Sequence, residues 1–233
     1  IEPVEYFPSK PEASAVNDNS NDGIYKGVIT GKNITGSFKM VANNDIPDRA
    51  SSNPIYVILN FNGETVTIDG DVSVDGQFYR YTFQNIKYNL VINLTFKGSI
   101  ENTNLTVAGL DMNNLIDISV YKETSVKLVK AYEGTFSGSG PYTVEQSYTI
   151  EGVWNTVIEE SKTKGACYWK PYISGEPIGI IGVLSGDESG DNTWNILLND
   201  GLGTATGKVY ERYASGTWTV GSDTGTWYGK RKF

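Results

Sequence analysis

The sequence predicts an all-β protein of antiparallel strands with little helix. Three observations lead to this prediction. Polar and apolar residues alternate along several stretches, turn-forming pairs separate these stretches, and glycine is frequent, with 26 residues in a chain of 233. Alternation with a period of two is typical of strands with one buried face, whereas an amphipathic helix repeats every 3.6 residues. We expect antiparallel meander barrels or sandwiches, arranged as two tandem β units.

The first segment, residues 1–23, has the sequence IEPVEYFPSKPEASAVNDNSNDG, with three prolines and little periodicity. We predict that it is a flexible tether. The chain opens on Ile1 rather than Met, and we therefore expect that a targeting segment has been removed. No apolar run approaches the roughly 18 residues of a transmembrane helix, so we expect no transmembrane segment.

Within this segment, Asp18, Ser20 and Asp22 occupy alternate positions before a glycine. This spacing matches the first half of a calcium-binding loop. The twelfth position of such a loop, which should hold a bidentate glutamate, is Ile29. We therefore interpret the acidic residues as part of a solvated linker and predict no metal site.

The first β unit is predicted over residues 24–120. Alternation is seen in TVTIDGDVSV (65–74), QFYRYTF (77–83) and NLVINLTFKGSI (89–100). Asn-Gly and Asp-Gly pairs lie between such stretches, and both residue types tolerate the positive φ of hairpin turns. An antiparallel meander is the expected arrangement.

A second β unit is predicted over residues 131–233, after a connector at 121–130. The heptapeptide YKGVITG at 25–31 is echoed by YEGTFSG at 132–138, and both resemble an opening strand. One β-sandwich or barrel that uses all the strands is the alternative, because a seven-residue echo does not exclude it.

The chain closes with GTWTVGSDTGTWYGKRKF, in which Gly-Thr-Trp occurs twice. If the turn consists of the four residues at 221–224, Trp218 lies directly opposite Trp227 on the next strand. The repetition is then a cross-strand aromatic pair between two strands that close a barrel.

Several classes of function are disfavoured by composition. The chain has no histidine, which excludes Ser-His-Asp catalysis and histidine-ligated metal sites. The single cysteine, Cys167, has no imidazole to activate it, and we interpret it as a small buried apolar residue. A net charge of −8 argues against nucleic acid as a partner. We predict no cofactor and no enzymatic activity.

Tryptophan is confined to the second half of the chain, at Trp154, Trp169, Trp194, Trp218 and Trp227. Tryptophan offers a flat ring on which sugars and planar ligands stack, together with an N–H donor. The segment ACYWKPYISGEP groups Tyr168, Trp169 and Tyr172 beside proline and glycine. We predict that these three residues and Trp194 bind a ligand, the alternative being that the tryptophans fill the core of the second unit.

The Tyr-x-Gly opening strand, the glycine-punctuated meander and the closing Gly-Thr-Trp strands resemble secreted bacterial proteins of the calycin type, the lipocalin and avidin-like group of antiparallel barrels. The resemblance covers residues 24–40 and 131–233 and implies a barrel that holds or presents a ligand. The proline-rich start resembles the tether that follows the lipid-bearing cysteine of bacterial surface lipoproteins. This implies a secreted, cell-surface or periplasmic location in the bacterial envelope, with a lipid anchor upstream of Ile1.

Three functional hypotheses follow. The first is an exported, non-enzymatic binding protein whose second unit binds a glycan or small planar ligand. The second is a structural or adhesive cell-envelope module that engages a partner protein through exposed sheet edges. The third is a histidine-free glycoside hydrolase, because that reaction needs two carboxylates; Glu151 and Glu159 are the candidates.

Overall fold

The structure, a computed structural model, describes residues 7–31, 35–44, 54–61, 63–75, 78–85, 90–97, 99–108, 116–141, 147–169 and 180–233. These residues form two antiparallel sheets that have no strand in common. The predicted all-β class, with two tandem β units and little helix, is confirmed. One closed barrel of all the described strands is not formed, because the first sheet stays open.

The first sheet has eight strands in the order β7-β6-β5-β4-β3-β2-β1-β8. The strands are β1 (Gly23–Gly31), β2 (Thr35–Ala42), β3 (Ile55–Phe61), β4 (Glu64–Asp75), β5 (Phe78–Asn85), β6 (Leu90–Lys97), β7 (Ser99–Ala108) and β8 (Ile116–Glu123). The first seven strands form a meander, and β8 returns to pair with β1. β7 and β8 are therefore the two edges of an open sheet.

The second sheet is a closed barrel of eight strands. The strands are β9 (Val129–Pro141), β10 (Ser147–Glu159), β11 (Lys162–Trp169), β12 (Ile180–Gly190), β13 (Thr193–Leu198), β14 (Gly203–Val209), β15 (Tyr213–Val220) and β16 (Asp223–Arg231). Each strand pairs with the next, and β16 pairs with β9 to close the wall. Pairing of the first and last strands leaves no free edge in the barrel.

Helix is limited to two 3₁₀ segments in the described residues, Ala15–Asn17 and Asn199–Gly201. Neither segment has the length or apolar character to cross a membrane.

The two opening strands match the predicted echo. Tyr25 lies in β1 and Tyr132 in β9, and each ring is 1% exposed. The Tyr25 hydroxyl donates to the carbonyl of Asn21 at 2.8 Å, and the Tyr132 hydroxyl donates to the carbonyl of Tyr210 at 3.0 Å. In each unit the same tyrosine therefore ties the opening strand to a nearby loop.

The strand β1 lies between the two units and is buried along all its residues. One face contributes Tyr25 and Ile29 to the core of the first sheet. Strands β9, β10 and β11 of the barrel also pack against β1. A strand covered on both faces loses the alternating exposure of a sheet that faces water on one side.

Asn155 of β10 lies in the contact between the units and is fully buried. Its Nδ2 donates to the carbonyl of Ile29 at 2.9 Å and to Thr35 Oγ1 at 2.8 Å, and its Oδ1 accepts from the backbone N–H of Gly134 at 3.2 Å. Lys164 places its ammonium 4.0 Å from the ring centroid of Tyr121. Asn155 and Lys164 of the barrel therefore each have a partner in the first unit.

The boundaries differ slightly from the predicted ones. β8 continues to Glu123 and β9 begins at Val129, so five residues, 124–128, connect the units instead of the predicted connector at 121–130.

The N-terminal segment also differs from the predicted flexible tether over its described part, residues 7–22. Phe7 is buried, and its ring lies 5.2 Å from the guanidinium of Arg231. The backbone N–H of Glu12 donates to Glu123 Oε1 at 2.7 Å, and the Glu12 carboxylate accepts from Lys39 at 2.7 Å. These partners are distant in sequence, so composition alone did not indicate them.

Candidate functional site: the barrel interior and its outer face

The barrel interior is filled by aromatic rings. Trp154 and Trp227 stack with centroids 5.3 Å apart and planes 11° from parallel. Phe136 meets Trp154 and Trp218 edge-on, at 6.2 and 5.7 Å. Trp194 belongs to the same buried cluster. Four of the five tryptophans therefore pack in the core of the second unit, which was the alternative to a ligand-binding role.

Glycine makes room for these rings on the inner wall. A Cβ at Gly138 would lie 2.5 Å from the Trp218 ring, and a Cβ at Gly225 would lie 2.7 Å from Trp218 Nε1. A Cβ at Gly207 would overlap the Trp227 ring. Gly138, Gly207 and Gly225, the last of which belongs to the second Gly-Thr-Trp triplet, therefore form a small-residue wall that accommodates the Trp218 and Trp227 rings.

The predicted pairing of the two Gly-Thr-Trp triplets is wrong. Trp218 faces Gly225, and Trp227 faces Gly216. The difference arises at the turn, which has two residues rather than four, with Val220 paired to Asp223 and Gly221 at a φ of 59°. Two-residue turns that begin with a positive φ favour glycine there, and the shorter turn shifts the register.

The interior leaves a cavity of about 60 Å³, with Phe136, Trp154 and Trp218 in its lining. An engineered cavity of about 150 Å³ is needed to hold benzene, and ligand pockets of proteins commonly measure about 300–1,000 Å³. A sugar ring does not fit this cavity. A ligand of that size has to bind elsewhere on the molecule.

Cys167 also lies in the barrel core and is free. Its Sγ is 3.6 Å from the carbonyl oxygen of Gly182, and burial raises the pKa of the thiol to about 12. The interpretation of Cys167 as a small buried apolar residue is confirmed.

The four predicted ligand residues do not form one cluster in the described residues. Trp194 points into the barrel core with Ile196 and Leu198. Tyr168 follows the inward-facing Cys167 on β11, so it points to the outer side of the wall, where it is buried. Tyr168 and Trp194 therefore lie on opposite faces of the wall.

The other two predicted residues are described only in part or not at all. Trp169 ends β11, and its side chain lies outside the described part of the chain. Tyr172 lies outside the described residues. A ligand role for these four residues stays a prediction.

The acidic loop before β1 encloses an ammonium group. Lys122 is buried and donates to the backbone carbonyls of Asn17 and Ser20. Burial lowers the pKa of Lys122 to about 8, against the opposing effect of Asp18 and Asp22. The loop is thus folded around a lysine, which differs from the solvated linker that we expected.

The two acidic side chains of this loop have separate partners. The Asp18 carboxylate accepts from the backbone N–H of Ser125 at 2.7 Å and from its hydroxyl at 2.6 Å, and these bonds lower the pKa of Asp18. Asp22 Oδ1 accepts from the Tyr81 hydroxyl at 2.8 Å. Within the described residues, no cluster of three histidine, cysteine or acidic side chains could hold a metal ion.

The outer face of the barrel carries two rows of hydroxyl side chains across four neighbouring strands. Strand pairing sets them in register: Thr204, Thr219, Thr224 and Ser139 in one row, and Thr206, Thr217, Thr226 and Ser137 in the next. All eight side chains are exposed. Neither row contains a charged residue, so the rows themselves are neutral and rich in hydrogen-bonding groups. The next outward position on β14 is the exposed Lys208, and the exposed Lys230 of β16 lies opposite Tyr213.

Three tyrosines lie near these rows. Tyr210 and Tyr213 stack with centroids 4.5 Å apart, and Tyr213 and Tyr228 stack at 6.0 Å. They are 43%, 39% and 51% exposed. We call the two hydroxyl rows and these tyrosines the hydroxyl–tyrosine face.

Sequence reasoning missed this face. The signal was the alternation TAT, TWT and TGT at 204–206, 217–219 and 224–226, each with a small or buried residue between two threonines. This alternation indicates a shared surface only when the three strands are known to be adjacent and in register.

Comparisons of the chain with family models, with curated proteins and with solved structures gave no match. The proposals below therefore depend on the geometry of the chain itself.

Proposed function

We propose that the protein is a non-enzymatic binding protein that holds a neutral glycan on the hydroxyl–tyrosine face of its barrel. One observation carries this proposal: eight hydroxyl side chains in two registered rows lie near three exposed, stacked tyrosines. This differs from the predicted ligand residues but keeps the predicted ligand class and the second unit.

The chemistry of the face suits an extended saccharide. Threonine and serine hydroxyls both donate and accept hydrogen bonds, as sugar hydroxyls do. Aromatic rings supply a large apolar surface with a polar tip, on which a sugar ring can stack. Neighbouring strands are about 4.8 Å apart, so a row across four strands extends about 14 Å. That length matches several linked sugars better than a small planar ligand.

The direct test is affinity electrophoresis of the full chain in gels that contain soluble neutral polysaccharides. We expect retardation by at least one polysaccharide, and loss of most of it in the double variant Tyr213→Ala, Tyr228→Ala. The matched control is Val183→Ala, an exposed apolar residue on β12 that is 51% exposed. Absence of retardation across β-glucans, α-glucans, mannans and xylans would refute the proposal.

Emission from the four tryptophans whose side chains the structure describes is a poor reporter for this surface. Trp154, Trp194, Trp218 and Trp227 are buried inside the barrel, so a saccharide on the outer face would leave their surroundings unchanged. A fluorescence titration would detect an interior ligand instead.

An adhesive module is the second candidate, and the open first sheet favours it. Within the described residues, β7 pairs with β6 and with no other strand. An edge strand offers unpaired backbone groups to an added strand. The occupant would be an extended segment of an envelope protein. Amide hydrogen exchange in β7 should slow in the complex with that partner; unchanged exchange would refute this candidate.

We also propose export to the bacterial envelope, which rests on the resemblance to calycin-type proteins and surface lipoproteins. Fractionation of cells that express the full gene should place the protein in the envelope or the medium. Recovery in the cytosolic fraction alone would contradict it.

A further inference from the structure

A groove of about 500 Å³ lies where the N-terminal segment, the first sheet and the end of the barrel meet. Phe7 comes from the N-terminal segment, Lys39, Asn60 and Thr65 from the first sheet, and Arg231 and Lys232 from the end of the barrel. The volume falls within the range of about 300–1,000 Å³ typical of small-molecule pockets, which often lie between domains. It is far larger than the cavity inside the barrel.

Two acidic groups near this groove, Glu12 and Glu123, are paired with lysines. Lys26 contacts Glu123 at 2.6 Å and Glu12 at 3.2 Å, and Lys39 contacts Glu12 at 2.7 Å. Two ammonium groups and two carboxylates make this network neutral. Lys26 and Lys39 hold the pKa of Glu12 below its usual value, although burial acts in the opposite direction.

Arg231 adds a positive charge that this network does not balance. Its side chain is almost fully buried, and it donates to the backbone carbonyls of Pro8 at 2.7 Å, Glu211 at 3.3 Å and Phe233 at 2.8 Å. In the described part of the chain it forms no salt bridge within 4.0 Å. A guanidinium has five N–H donors, and backbone carbonyls of the described residues accept three of them.

Lys232 adds a second positive charge to the wall of the groove. It too forms no salt bridge within 4.0 Å among the described residues. The lining of the groove therefore includes three cationic side chains, Lys39, Arg231 and Lys232, and one carboxylate, that of Glu12. The carboxylates of Glu133 and Glu211 lie outside the lining, close enough to interact with Lys232 and Arg231 respectively. A lining with more cations than carboxylates attracts anions and raises their concentration at the groove.

We propose that this groove binds a small organic anion, a ring that carries one phosphate, sulfate or carboxylate group. Lys232 contacts the anionic group, the buried Arg231 adds its positive charge behind the wall, and the Phe7 side of the groove contacts the ring. Asn60 and Thr65 line the opposite side, where amide and hydroxyl groups hydrogen-bond polar substituents. This site is separate from the hydroxyl–tyrosine face and is independent of the glycan proposal.

The test is isothermal titration calorimetry of the full chain at low ionic strength, with phenyl phosphate, inorganic phosphate and phenol as probes. We expect phenyl phosphate to bind, inorganic phosphate to bind more weakly, and phenol to give no binding. Equal affinity for phenyl phosphate and inorganic phosphate would refute the ring contact. No binding of phenyl phosphate, or equal binding of phenol, would overturn the whole proposal.

The variant Lys232→Gln removes one charge without creating a cavity. We expect it to weaken phenyl phosphate binding by about tenfold, since a hydrogen bond to a charged group contributes about that factor. The matched control is Lys208→Gln, the same change at an exposed lysine of β14. Equal affinities of the two variants would overturn the assignment to this groove.

A steric variant gives a second test that leaves the charges unchanged. Thr65 is exposed at the groove wall, so Thr65→Trp can fill the groove without disturbing a core. We expect loss of phenyl phosphate binding with an unchanged thermal midpoint. Retention of wild-type affinity would place the anion elsewhere and refute the proposal.

Discussion

The first sheet and the barrel open with similar strands, but only the barrel closes. Both open with a Tyr-x-Gly strand, and in both the tyrosine is buried with its hydroxyl on a backbone carbonyl. Both have eight strands joined mainly as a meander, yet one stays open and the other closes. The comparison shows that strand number and opening motif do not decide closure.

Glycine pairing distinguishes the two sheets. In the barrel, glycine faces glycine across neighbouring strands, at Gly134 and Gly229, Gly138 and Gly225, and Gly207 and Gly216. Glycine opposite phenylalanine occurs in both sheets, at Gly27 and Phe38 in the first sheet and at Gly152 and Phe136 in the barrel. Paired glycines let a wall bend sharply and leave space inside for tryptophan. Glycine opposite phenylalanine accommodates one ring, in the open sheet as in the closed barrel.

The largest expected loss of stability follows from removing one of the aromatic rings that fill the closed barrel. Trp227→Ala should lower the free energy of unfolding by about 3–5 kcal/mol, because it removes a buried ring and leaves a cavity. Denaturant unfolding followed by circular dichroism measures this loss. The matched control is Tyr228→Ala, the next residue on β16, which is exposed and should change stability by about 0.5 kcal/mol or less. Similar losses of stability in both variants would show that the buried Trp227 ring does not stabilise the barrel.

The next effect tests the role of glycine in closure. Gly207→Ala should lower the free energy of unfolding by about 3 kcal/mol, because the added Cβ overlaps the Trp227 ring and lies against the opposite strand. Thermal unfolding is a suitable measurement. Thr206→Ala, at the neighbouring exposed position, is the control. If Gly207→Ala is as stable as its control, paired glycines are not required for the closed wall.

The variant Asn155→Leu should weaken the contact between the two units and lower the stability of the protein. The variant leaves the carbonyl of Ile29 and the N–H of Gly134 without this side-chain partner. The expected loss is about 2 kcal/mol.

This variant also shows how closely the units are coupled. Tryptophan emission reports on the barrel alone, since all five tryptophans lie in the second unit, whereas circular dichroism reports on both sheets. The two unfolding curves should coincide in the wild type and separate in Asn155→Leu. Curves that stay coincident, with no loss of stability, would contradict this role for Asn155.

The smallest expected effect belongs to the first unit and depends on pH. Burial lowers the pKa of Lys122 in the folded protein to about 8 from 10.5. Between pH 8 and 10.5 the unfolded chain therefore binds more protons than the folded protein, and the contribution of Lys122 to stability rises with pH. Relative to Lys122→Met, the wild type should gain about 1 kcal/mol between pH 8 and pH 9.5.

The difference between the two proteins is the quantity to measure, because Cys167 acts in the opposite direction. Its raised pKa of about 12 makes stability fall as pH rises above the unfolded value of 9, and it does so equally in both proteins. Parallel stability curves for the wild type and Lys122→Met across this range would contradict the lowered pKa.

The candidate sites were harder to predict than the fold. All five tryptophans lie in the second unit, but this confinement did not show whether they fill the core or bind a ligand. The register of the closing strands was wrong because a two-residue turn at Gly221 replaced the expected four-residue turn. Lys122 could not be matched with the carbonyls of Asn17 and Ser20, because more than 100 residues separate these partners.

The sequence by itself determined the all-β class and the opening tyrosine strands; it favoured two units and a buried Cys167 without deciding either. These features depend on local alternation, turn-forming pairs and composition, which each strand carries within itself. Only the tertiary structure decided that one sheet closes, that residues 7–22 pack against both units, and that threonines from three strands share a face. Closure, register and docking depend on contacts between distant residues, and a local period of two does not specify which strands meet.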